Sequence, residues 1–555
     1  MRLSRAGFTF ILCALAGSAL ILRGQSLGPT RPLDIQDIGL PAVEQHIPLS
    51  VDAHAAGTTE SLRRLAAARD TGRVGNSGRV YTPGRVIARF RDEIGMPDRR
   101  RVARLASDTA DILPPAPNAD FDVIRIDPAE DAEAVASDLA GRAEVVYAQA
   151  AYREHAALVP NDPLYPPDPA RNYPGQWNLK MIDLERAWDI QPLAGSTVTV
   201  AVVDTGMAFR NATLTVNIPA FTNMGVRYPA LGARTIPYSA AQQLVGGGAA
   251  GRIVAPFDAI SNGVNPPLDF DGHGTHVAGT IGQLTNDNVD VAGVAYNVKL
   301  MPVKVLGSFW DVLFGSAPFE GGSDDDVARG IRYAADNGAK IINMSLGSSG
   351  PANCGTNPRQ DGCSPVIEDA MRYAVGKGVF IAVAGGNEFE DVDPQFGRNP
   401  TSVIAEIASR IQGAVSVAAV DPTKNRAFYS STGSYIELAA PGGNSRLGRP
   451  GFVFQQTFDF TVTDTFDPTI VPPAQFRAPR FDVMAIIGYT GTSMATPHVS
   501  GVAAMVMQQG ITTPAAIEAA LEKSAIDLGA AGKDDSFGFG LVDARNALFG
   551  LGLSK

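Results

Sequence analysis

The chain has 555 residues, 45% of them hydrophobic and 19% charged, which is enough apolar material for a large buried core. Its 58 glycines and 39 prolines favour many tight turns and exclude a coiled coil or a long helical bundle. The net charge of −11 disfavours a nucleic-acid groove or a polybasic membrane surface. Three cysteines and six histidines leave little material for a zinc cluster. The composition therefore predicts a large globular α/β protein.

Residues 1–25 have the layout of a secretory signal peptide. Arg2 and Arg5 precede a mostly apolar run at residues 7–22. That run is shorter than the roughly 20 residues of a transmembrane helix. We therefore expect a secreted or periplasmic protein without a stable membrane anchor. An uncleaved anchor is the alternative, whereas lipid attachment at Cys13 is disfavoured by the bulky Leu12.

Residues 26–84 show no sustained periodicity, which is typical of a linker that is partly disordered. A small α+β unit is predicted for residues 85–157. Its expected elements are a strand at 86–90, a helix at 99–105, a strand at 121–126, a helix at 132–139 and a strand at 145–152.

Residues 158–555 are predicted to form one large α/β unit. Apolar strands are expected at 198–203, 300–305, 341–344, 379–384 and 415–420, with helices near His276, at 327–335 and at 366–375. Continuous apolar strands that alternate with helices predict a doubly wound, mostly parallel sheet. Functional residues in such a fold are expected beyond the carboxyl ends of the strands.

Cys354 and Cys363 are the only cysteines left once residues 1–25 are removed. They lie nine positions apart in a stretch rich in Gly, Asn and Pro. In an oxidising compartment two such cysteines most simply form one disulfide.

Three short motifs carry the residues of a hydrolytic site. Asp204 ends the apolar strand that begins near residue 198, and two positions later a glycine allows a turn. His273 lies in the stretch DFDGHGTHVAG at residues 269–279, which opens a helix. Ser493 lies in GTSMATPH at residues 491–498, at the start of an apolar helix where a proline in the first turn is tolerated.

The order Asp, His, Ser and these three local sequences resemble the subtilisin-like serine proteases. The resemblance covers roughly residues 160–548. It implies that Ser493 is the nucleophile, His273 the general base and then acid, and Asp204 the group that orients the imidazole. Asn387, in the stretch AVAGGNE, then matches the side chain that forms the oxyanion hole with Ser493.

The same resemblance assigns substrate binding to Ser345, Leu346 and Gly347, which would pair with the substrate backbone. It implies a secreted endopeptidase that acts on proteins or peptides, needs no cofactor for catalysis and is monomeric. Residues 85–157 resemble the ferredoxin-like propeptide of such enzymes, which inhibits the catalytic unit until the chain cuts itself. We expect that cleavage between about residues 155 and 161.

Asn286, Asp287, Asn288 and Asp290 bring four oxygen-bearing side chains together within five residues. Such a loop suits calcium, and it stands where related subtilisins bind a stabilising ion. A polar turn without metal is the alternative. His276 and His498 are interpreted as structural, because no third ligand lies at a convincing zinc spacing.

Residues of about 444–487 form an insertion relative to the simplest members of the family. The alternating stretch at 452–466 suggests a hairpin within it, in a position to cover the cleft.

The expected oxyanion residue is followed by four acidic residues, Glu388, Glu390, Asp391 and Asp393. They either favour basic substrate side chains or form a solvated acidic loop. Two other functional classes stay open: an inactive binding protein and an esterase on the same site.

Overall fold

The computed structural model describes residues 73–74, 80–114, 119–152, 158–246, 251–352, 354 and 362–549. The predicted signal peptide, most of the predicted linker and residues 153–157 of the expected processing region lie outside these ranges. The described residues form two compact units, a small one within residues 40–156 and a large one within residues 157–548. Within the described ranges, no helix has both the length and the apolar character needed to cross a membrane.

The small unit is an antiparallel sheet with two helices. Its elements are β1 (Arg73–Val74), β2 (Val80–Phe90), α1 (Met96–Ala106), β3 (Asp111–Ile112), β4 (Asp122–Arg125), α2 (Ala132–Ala140) and β5 (Val145–Tyr152). From β2 to β5 the order is β-α-β-β-α-β, and β2 lies between β4 and β5, as in a ferredoxin-like unit. Strand β2 begins at Val80, four residues before the predicted end of the linker at residue 84.

This unit has its own core, formed by apolar residues of β2, β3, β4, β5 and the two helices. Val86 of β2, Ile124 of β4 and Leu139 of α2 are completely buried in one cluster. The side chain of Asp131 caps α2 by accepting hydrogen bonds from the backbone N–H groups of Glu133 and Ala134. Both predicted helices and all three predicted strands are therefore present.

The large unit contains the remaining strands and helices. The strands are β6 (Thr199–Asp204), β7 (Ala212–Ile218), β8 (Phe221–Asn223), β9 (Val226–Tyr228), β10 (Gly232–Tyr238), β11 (Phe257–Asp258), β12 (Lys299–Lys304), β13 (Ile341–Met344), β14 (Ser349–Gly350), β15 (Phe380–Ala384), β16 (Val392–Asp393), β17 (Gly397–Arg398), β18 (Thr401–Ser402), β19 (Ala414–Val420), β20 (Leu438–Pro441), β21 (Val453–Phe458) and β22 (Met484–Tyr489). The helices are α3 (Trp177–Met181), α4 (Leu184–Ile190), α5 (Gln242–Val245), α6 (His273–Gly282), α7 (Phe309–Phe314), α8 (Asp324–Asp336), α9 (Pro365–Gly376), α10 (Val403–Ala408), α11 (Phe460–Thr463), α12 (Thr492–Gln508), α13 (Pro514–Ser524) and α14 (Ala544–Phe549).

Seven of these strands form one parallel sheet in the order β11-β12-β6-β13-β15-β19-β20. Every residue of β13, β15 and β19 is buried, as expected of strands that helices cover on both faces. The α/β class with a mostly parallel sheet is confirmed. Because β6, β13 and β15 are neighbours and run the same way, the residues that follow them meet at one edge of the sheet.

The inserted region after residue 443 is organised differently from the prediction. Strand β21 pairs with β22 across some 25 intervening residues, and α11 follows β21 directly. The alternating stretch at 452–466 therefore supplies only β21 of this antiparallel pair, and its partner β22 lies outside that stretch. The sequence analysis also missed the antiparallel ribbon of β7 and β10, which lies outside the main sheet.

Candidate active site

Asp204 and His273 form a buried hydrogen-bonded pair. Asp204 is the last residue of β6, and His273 is the first residue of α6. The distance from His273 Nδ1 to Asp204 Oδ1 is 2.6 Å. Gly274 makes this approach possible, because a Cβ there would lie 2.2 Å from the carbonyl oxygen of Gly206. The sequence thus brings the two side chains together where a strand end meets a helix start.

The surroundings of His273 favour its protonated form. Burial by itself lowers the pKa of this imidazole, but the Asp204 carboxylate raises it through charge and hydrogen bonding. With further help from Asp271 and Asp269, the pKa of His273 rises to about 9. The other ring nitrogen, Nε2, is buried and has no hydrogen-bond partner among the described residues. Because a pKa of about 9 keeps this ring mostly protonated near neutral pH, Nε2 accepts a proton only in the neutral form of the imidazole.

Ser493 is the second residue of α12, where backbone N–H groups of the first turn have no partner inside the helix. Its hydroxyl donates to the carbonyl oxygen of Ser345 at 3.2 Å, so it does not bond His273 in this conformer. The Ser345 hydroxyl in turn donates to the Ser493 carbonyl oxygen at 2.8 Å. These two contacts join the nucleophile candidate to the segment that follows β13.

Asn387 lies beside the start of α12. Its Oδ1 accepts hydrogen bonds from the backbone N–H and the hydroxyl of Thr492, both at 2.9 Å. These two donors fix the orientation of the Asn387 amide, so its Nδ2 group points away from Thr492. Asn387 Nδ2 and the Ser493 backbone nitrogen lie 3.5 Å and 3.6 Å from the position that a Cβ on Gly491 would take. Two N–H donors thus flank one empty position next to the Ser493 side chain.

Ser345, Leu346 and Gly347 follow β13 directly, next to Ser493. The structure therefore brings the predicted substrate-binding segment, both oxyanion candidates and the three triad candidates to one edge of the sheet. Cys354 and Cys363 are joined by a disulfide a few residues further along. The residues between them, except Gly362, lie outside the described part of the chain.

His276 and His498 have structural surroundings. His276 Nε2 lies 3.1 Å from the Ile487 carbonyl oxygen, and its ring stacks on Tyr489. His498 Nδ1 lies 2.8 Å from the Met494 carbonyl oxygen, and its Nε2 lies 2.9 Å from Nδ2 of Asn178. Burial lowers the pKa of His276 to about 3 and that of His498 to about 4. Both rings are therefore neutral packing groups at neutral pH.

The predicted calcium loop folds around Asp162. Its carboxylate accepts hydrogen bonds from the backbone N–H groups of Asn286 at 2.8 Å and Asp287 at 3.3 Å. Asp290 is buried, and its Oδ1 has no hydrogen-bond partner among the described residues. Oδ1 of Asn286 accepts a hydrogen bond from the backbone N–H of Asn161. The backbone N–H of Asn288 donates to the side-chain oxygen of Asn161.

Another acidic group was missed by the sequence analysis. Glu437, Glu518 and Glu522 are the only described residues that bring three metal-ligating side-chain atoms within 4.8 Å of one another. Glu437 precedes β20, whereas the other two glutamates lie on α13, so their sequence separation hides the cluster. This cluster lies apart from the loop predicted to bind calcium.

The acidic residues after Asn387 are mostly engaged locally. Oε2 of Glu388 accepts a hydrogen bond from the Asn387 backbone N–H at 2.7 Å. Glu390 pairs with Arg446, and Asp393 accepts from two backbone N–H groups of its own turn. These contacts support the interpretation of an acidic loop over that of a pocket for basic side chains.

The β21–β22 hairpin packs beside α6. The Thr457 hydroxyl donates to the Gly272 carbonyl oxygen at 2.6 Å, directly before His273. Gln455 Nε2 donates to the Ala292 carbonyl oxygen at 2.9 Å. Because β22 leads into α12, the hairpin connects the segment carrying His273 with the segment carrying Ser493.

Comparison with known proteins agrees with this geometry. The model of the subtilase family, Peptidase_S8, matches residues 195–540. A thermophilic serine proteinase from Bacillus sp. strain AK1 is 27% identical over 84% of this chain and 88% of its own length. An extracellular protease from Xanthomonas campestris pv. campestris is 30% identical over 71% of this chain and 57% of its own length.

A solved structure of a protease from Pseudoalteromonas arctica is 29% identical, with a TM-score of 0.48, over 71% of this chain and 99% of that chain. The family match spans well over half of the sequence, including Asp204, His273, Asn387 and Ser493. The chain therefore belongs to the subtilase family and is a serine-type endopeptidase.

Proposed function

We propose that this subtilase is a secreted enzyme that cuts peptide bonds through an acyl-enzyme on Ser493 and matures by cutting its own chain. The observation that carries the proposal is the convergence of the Asp204–His273 pair, Ser493 and Asn387 at one edge of the parallel sheet. The individual roles follow from the chemistry of each group.

Acylation begins with rotation of the Ser493 hydroxyl from the Ser345 carbonyl oxygen toward His273 Nε2. The imidazole takes the hydroxyl proton while Oγ forms a bond to the substrate carbonyl carbon. The resulting imidazolium faces the Asp204 carboxylate, which stabilises its charge. His273 then gives the proton to the leaving amine as the C–N bond breaks. In the second half of the reaction, water gives a proton to His273 and attacks the acyl carbon. His273 then returns the proton to Ser493 Oγ as the ester bond breaks and the new carboxylic acid leaves.

The tetrahedral intermediate places negative charge on the former carbonyl oxygen. The Asn387 amide and the Ser493 backbone N–H are the donors for this oxyanion, since both nitrogens flank the open position beside Gly491. The start of α12 adds a favourable helix dipole. Ser345, Leu346 and Gly347 would pair with substrate backbone, which allows many different sequences to be accepted.

The small unit is proposed to be the propeptide. It has a separate core and precedes the catalytic unit. Parallel sheets fold slowly because their strand pairs are distant in sequence. A propeptide of this kind would speed the folding of the catalytic unit and then inhibit its active site until the chain is cut. The expected cut between about residues 155 and 161 overlaps the junction of the two units.

Export is proposed from the pattern of residues 1–25 and from the extracellular location stated in the name of the Xanthomonas relative. The disulfide between Cys354 and Cys363 is consistent with an oxidising compartment. Protein and peptide substrates would then be met outside the cytoplasm.

A structural calcium ion is proposed at the loop of residues 286–290. Burial, with added repulsion from Asp287 and Asp162, raises the pKa of Asp290 to about 6. A divalent cation would relieve this repulsion and give the unpartnered Oδ1 of Asp290 a ligand role. Asn286, Asp287 and Asn288 supply further oxygen-bearing side chains of the kind that calcium prefers. The ion would stabilise the loop and take no part in the reaction.

The test combines casein hydrolysis with processing of the full chain. Ser493→Ala should accumulate as an uncut precursor and show no casein hydrolysis. Ser524→Ala is the matched control, because Ser524 lies at the end of a different helix, α13, and donates to the Leu521 carbonyl oxygen. It should be processed and active. Processing of Ser493→Ala at the normal rate in a protease-free preparation would contradict the proposal.

A further inference from the structure

Asp269 lies four residues before His273 and has no solvent exposure. Its backbone N–H and carbonyl groups both bond the Tyr238 hydroxyl, each at 3.0 Å. Its carboxylate accepts five hydrogen bonds from the described residues, which the sequence analysis did not foresee. This side chain therefore stands at the centre of a polar network beside the proposed triad.

One part of the network reaches Asp204. The Thr205 hydroxyl donates to Asp269 Oδ1 at 3.0 Å, and the Thr205 backbone N–H donates to Asp204 Oδ1 at 2.7 Å. The Thr205 carbonyl oxygen accepts from the buried ammonium of Lys304 at 2.5 Å. Thr205 is thus held on two sides, and its hydroxyl and backbone N–H connect Asp269 with the carboxylate at the end of β6.

The other part reaches His273. Asp269 Oδ1 accepts from the backbone N–H groups of Asp271 at 3.0 Å and Gly272 at 2.8 Å. Asp269 Oδ2 accepts from the backbone N–H of Thr275 at 2.9 Å and from its hydroxyl at 2.7 Å. The turn that carries the imidazole is therefore folded around one carboxylate, which also accepts the backbone N–H of Thr275, one of the groups at the start of α6 without a partner inside the helix.

The two parts also meet directly, because the backbone N–H of Gly274 donates to the Thr205 hydroxyl at 2.9 Å. Five donors converge on Asp269, and an ionised carboxylate can accept from all of them. An amide of the same shape would turn its NH₂ group toward other donors. A negative charge is therefore required at this position. A neutral side chain would weaken the hydrogen bonds that lead to Asp204 and those that hold the turn before His273.

We propose that Asp269 is a positioning residue that holds Asp204 and His273 in register and electrostatically supports the imidazolium formed during catalysis. The inference rests on the proposed triad but adds a fourth side chain to it. Asp269 touches neither substrate nor the reacting atoms, and it acts through Thr205 and the turn before α6.

The test uses purified mature enzyme carrying Asp269→Asn. We expect kcat to fall by about 10- to 100-fold with little change in KM, because small displacements of reacting groups are costly. The acidic limb of the pH profile of kcat/KM should also move to lower pH, since a negative charge that favours the imidazolium is lost. A purely structural residue would not shift that limb.

Two further variants cover the case in which Asp269→Asn folds poorly. Thr205→Val removes the hydroxyl that connects Asp269 with the Asp204 segment but keeps the Asp269 carboxylate. We expect a reduced kcat for this variant. Thr205→Ser restores the hydroxyl and should restore kcat. Asp326→Asn is the matched control, since Asp326 is a buried carboxylate that caps a different helix, α8. It should lower the thermal midpoint and leave kcat and the pH profile unchanged.

The outcomes separate the two proposals. A wild-type enzyme that hydrolyses no peptide would overturn the proposed function itself. An active wild type with unimpaired kcat and an unshifted pH profile in Asp269→Asn would overturn only the role of Asp269. If that variant does not fold, an unimpaired Thr205→Val would do the same.

Discussion

The cluster of Glu437, Glu518 and Glu522 predicts that the catalytic unit loses stability as pH rises. Glu437 has 4% of its surface exposed, and its Oε2 accepts a hydrogen bond from the Ser416 backbone N–H at 3.0 Å. Burial raises the pKa of Glu437 to about 8 and that of Glu518 to about 7, with added repulsion from neighbouring carboxylates. Lys533 opposes both shifts without cancelling them.

The sign follows from proton binding. Between about pH 4.5 and pH 8 the folded chain keeps a proton on Glu437 that the unfolded chain has released. The free energy of unfolding therefore falls with rising pH in this window, by about 1.4 kcal/mol per pH unit for each such group. Glu437→Gln keeps the size of the side chain and an acceptor for the Ser416 N–H but cannot titrate.

The assay is urea unfolding in the Ser493→Ala background, which prevents self-digestion. Relative to its parent, Glu437→Gln should become more stable by about 1.4 kcal/mol for each unit between about pH 5 and pH 7. Glu368→Gln is the control, because Glu368 pairs with Arg372 on the surface of α9. Its stability difference should not vary in this way. A pH-independent difference for Glu437→Gln would refute the reasoning.

Three further predictions concern the site and its surroundings. Asn387→Ala should lower kcat by about 10²- to 10³-fold, the loss known for an oxyanion donor in subtilisin itself, with KM nearly unchanged; an unaltered kcat would remove Asn387 from the oxyanion hole. Replacing Cys354 and Cys363 by serine should lower the free energy of unfolding by at most about 2–3 kcal/mol, because the closed loop is short, and urea titration with and without reductant checks this. Excess calcium should raise the thermal midpoint of the Ser493→Ala protein relative to EDTA, and Asp290→Asn should abolish the increase; equal midpoints in calcium and EDTA would exclude the ion.

The sequence was sufficient for the main sheet because its strands are continuous apolar runs. The predicted strand at 341–344 coincides with Ile341–Met344, and the other four predicted strands differ from the observed ones by at most one residue at each end. The two edge strands, β11 and β20, were not predicted. The triad candidates could also be found, since each lies in a motif at a strand end or a helix start. Such motifs are recognisable from neighbouring residues alone, so they can be found without knowledge of the fold.

Features that depend on distant partners could not be found in this way. Alternation at residues 452–466 indicates a strand but not its partner, which is β22 at Met484–Tyr489. Glu437 stands in an apolar run, and its burial makes sense only beside two glutamates some 80 residues later. Asp269 lies inside the quoted motif, yet its role depends on Thr205 from another strand end.

The central claim is that Ser493 is the nucleophile activated by His273 and oriented by Asp204. The most direct measurement is labelling of the purified mature enzyme with a fluorophosphonate probe, followed by mass spectrometry of its peptides. The account predicts one modified residue, Ser493, with labelling strongly reduced in His273→Ala and abolished in Ser493→Ala. Labelling that persists in Ser493→Ala, or maps to another residue, would contradict it.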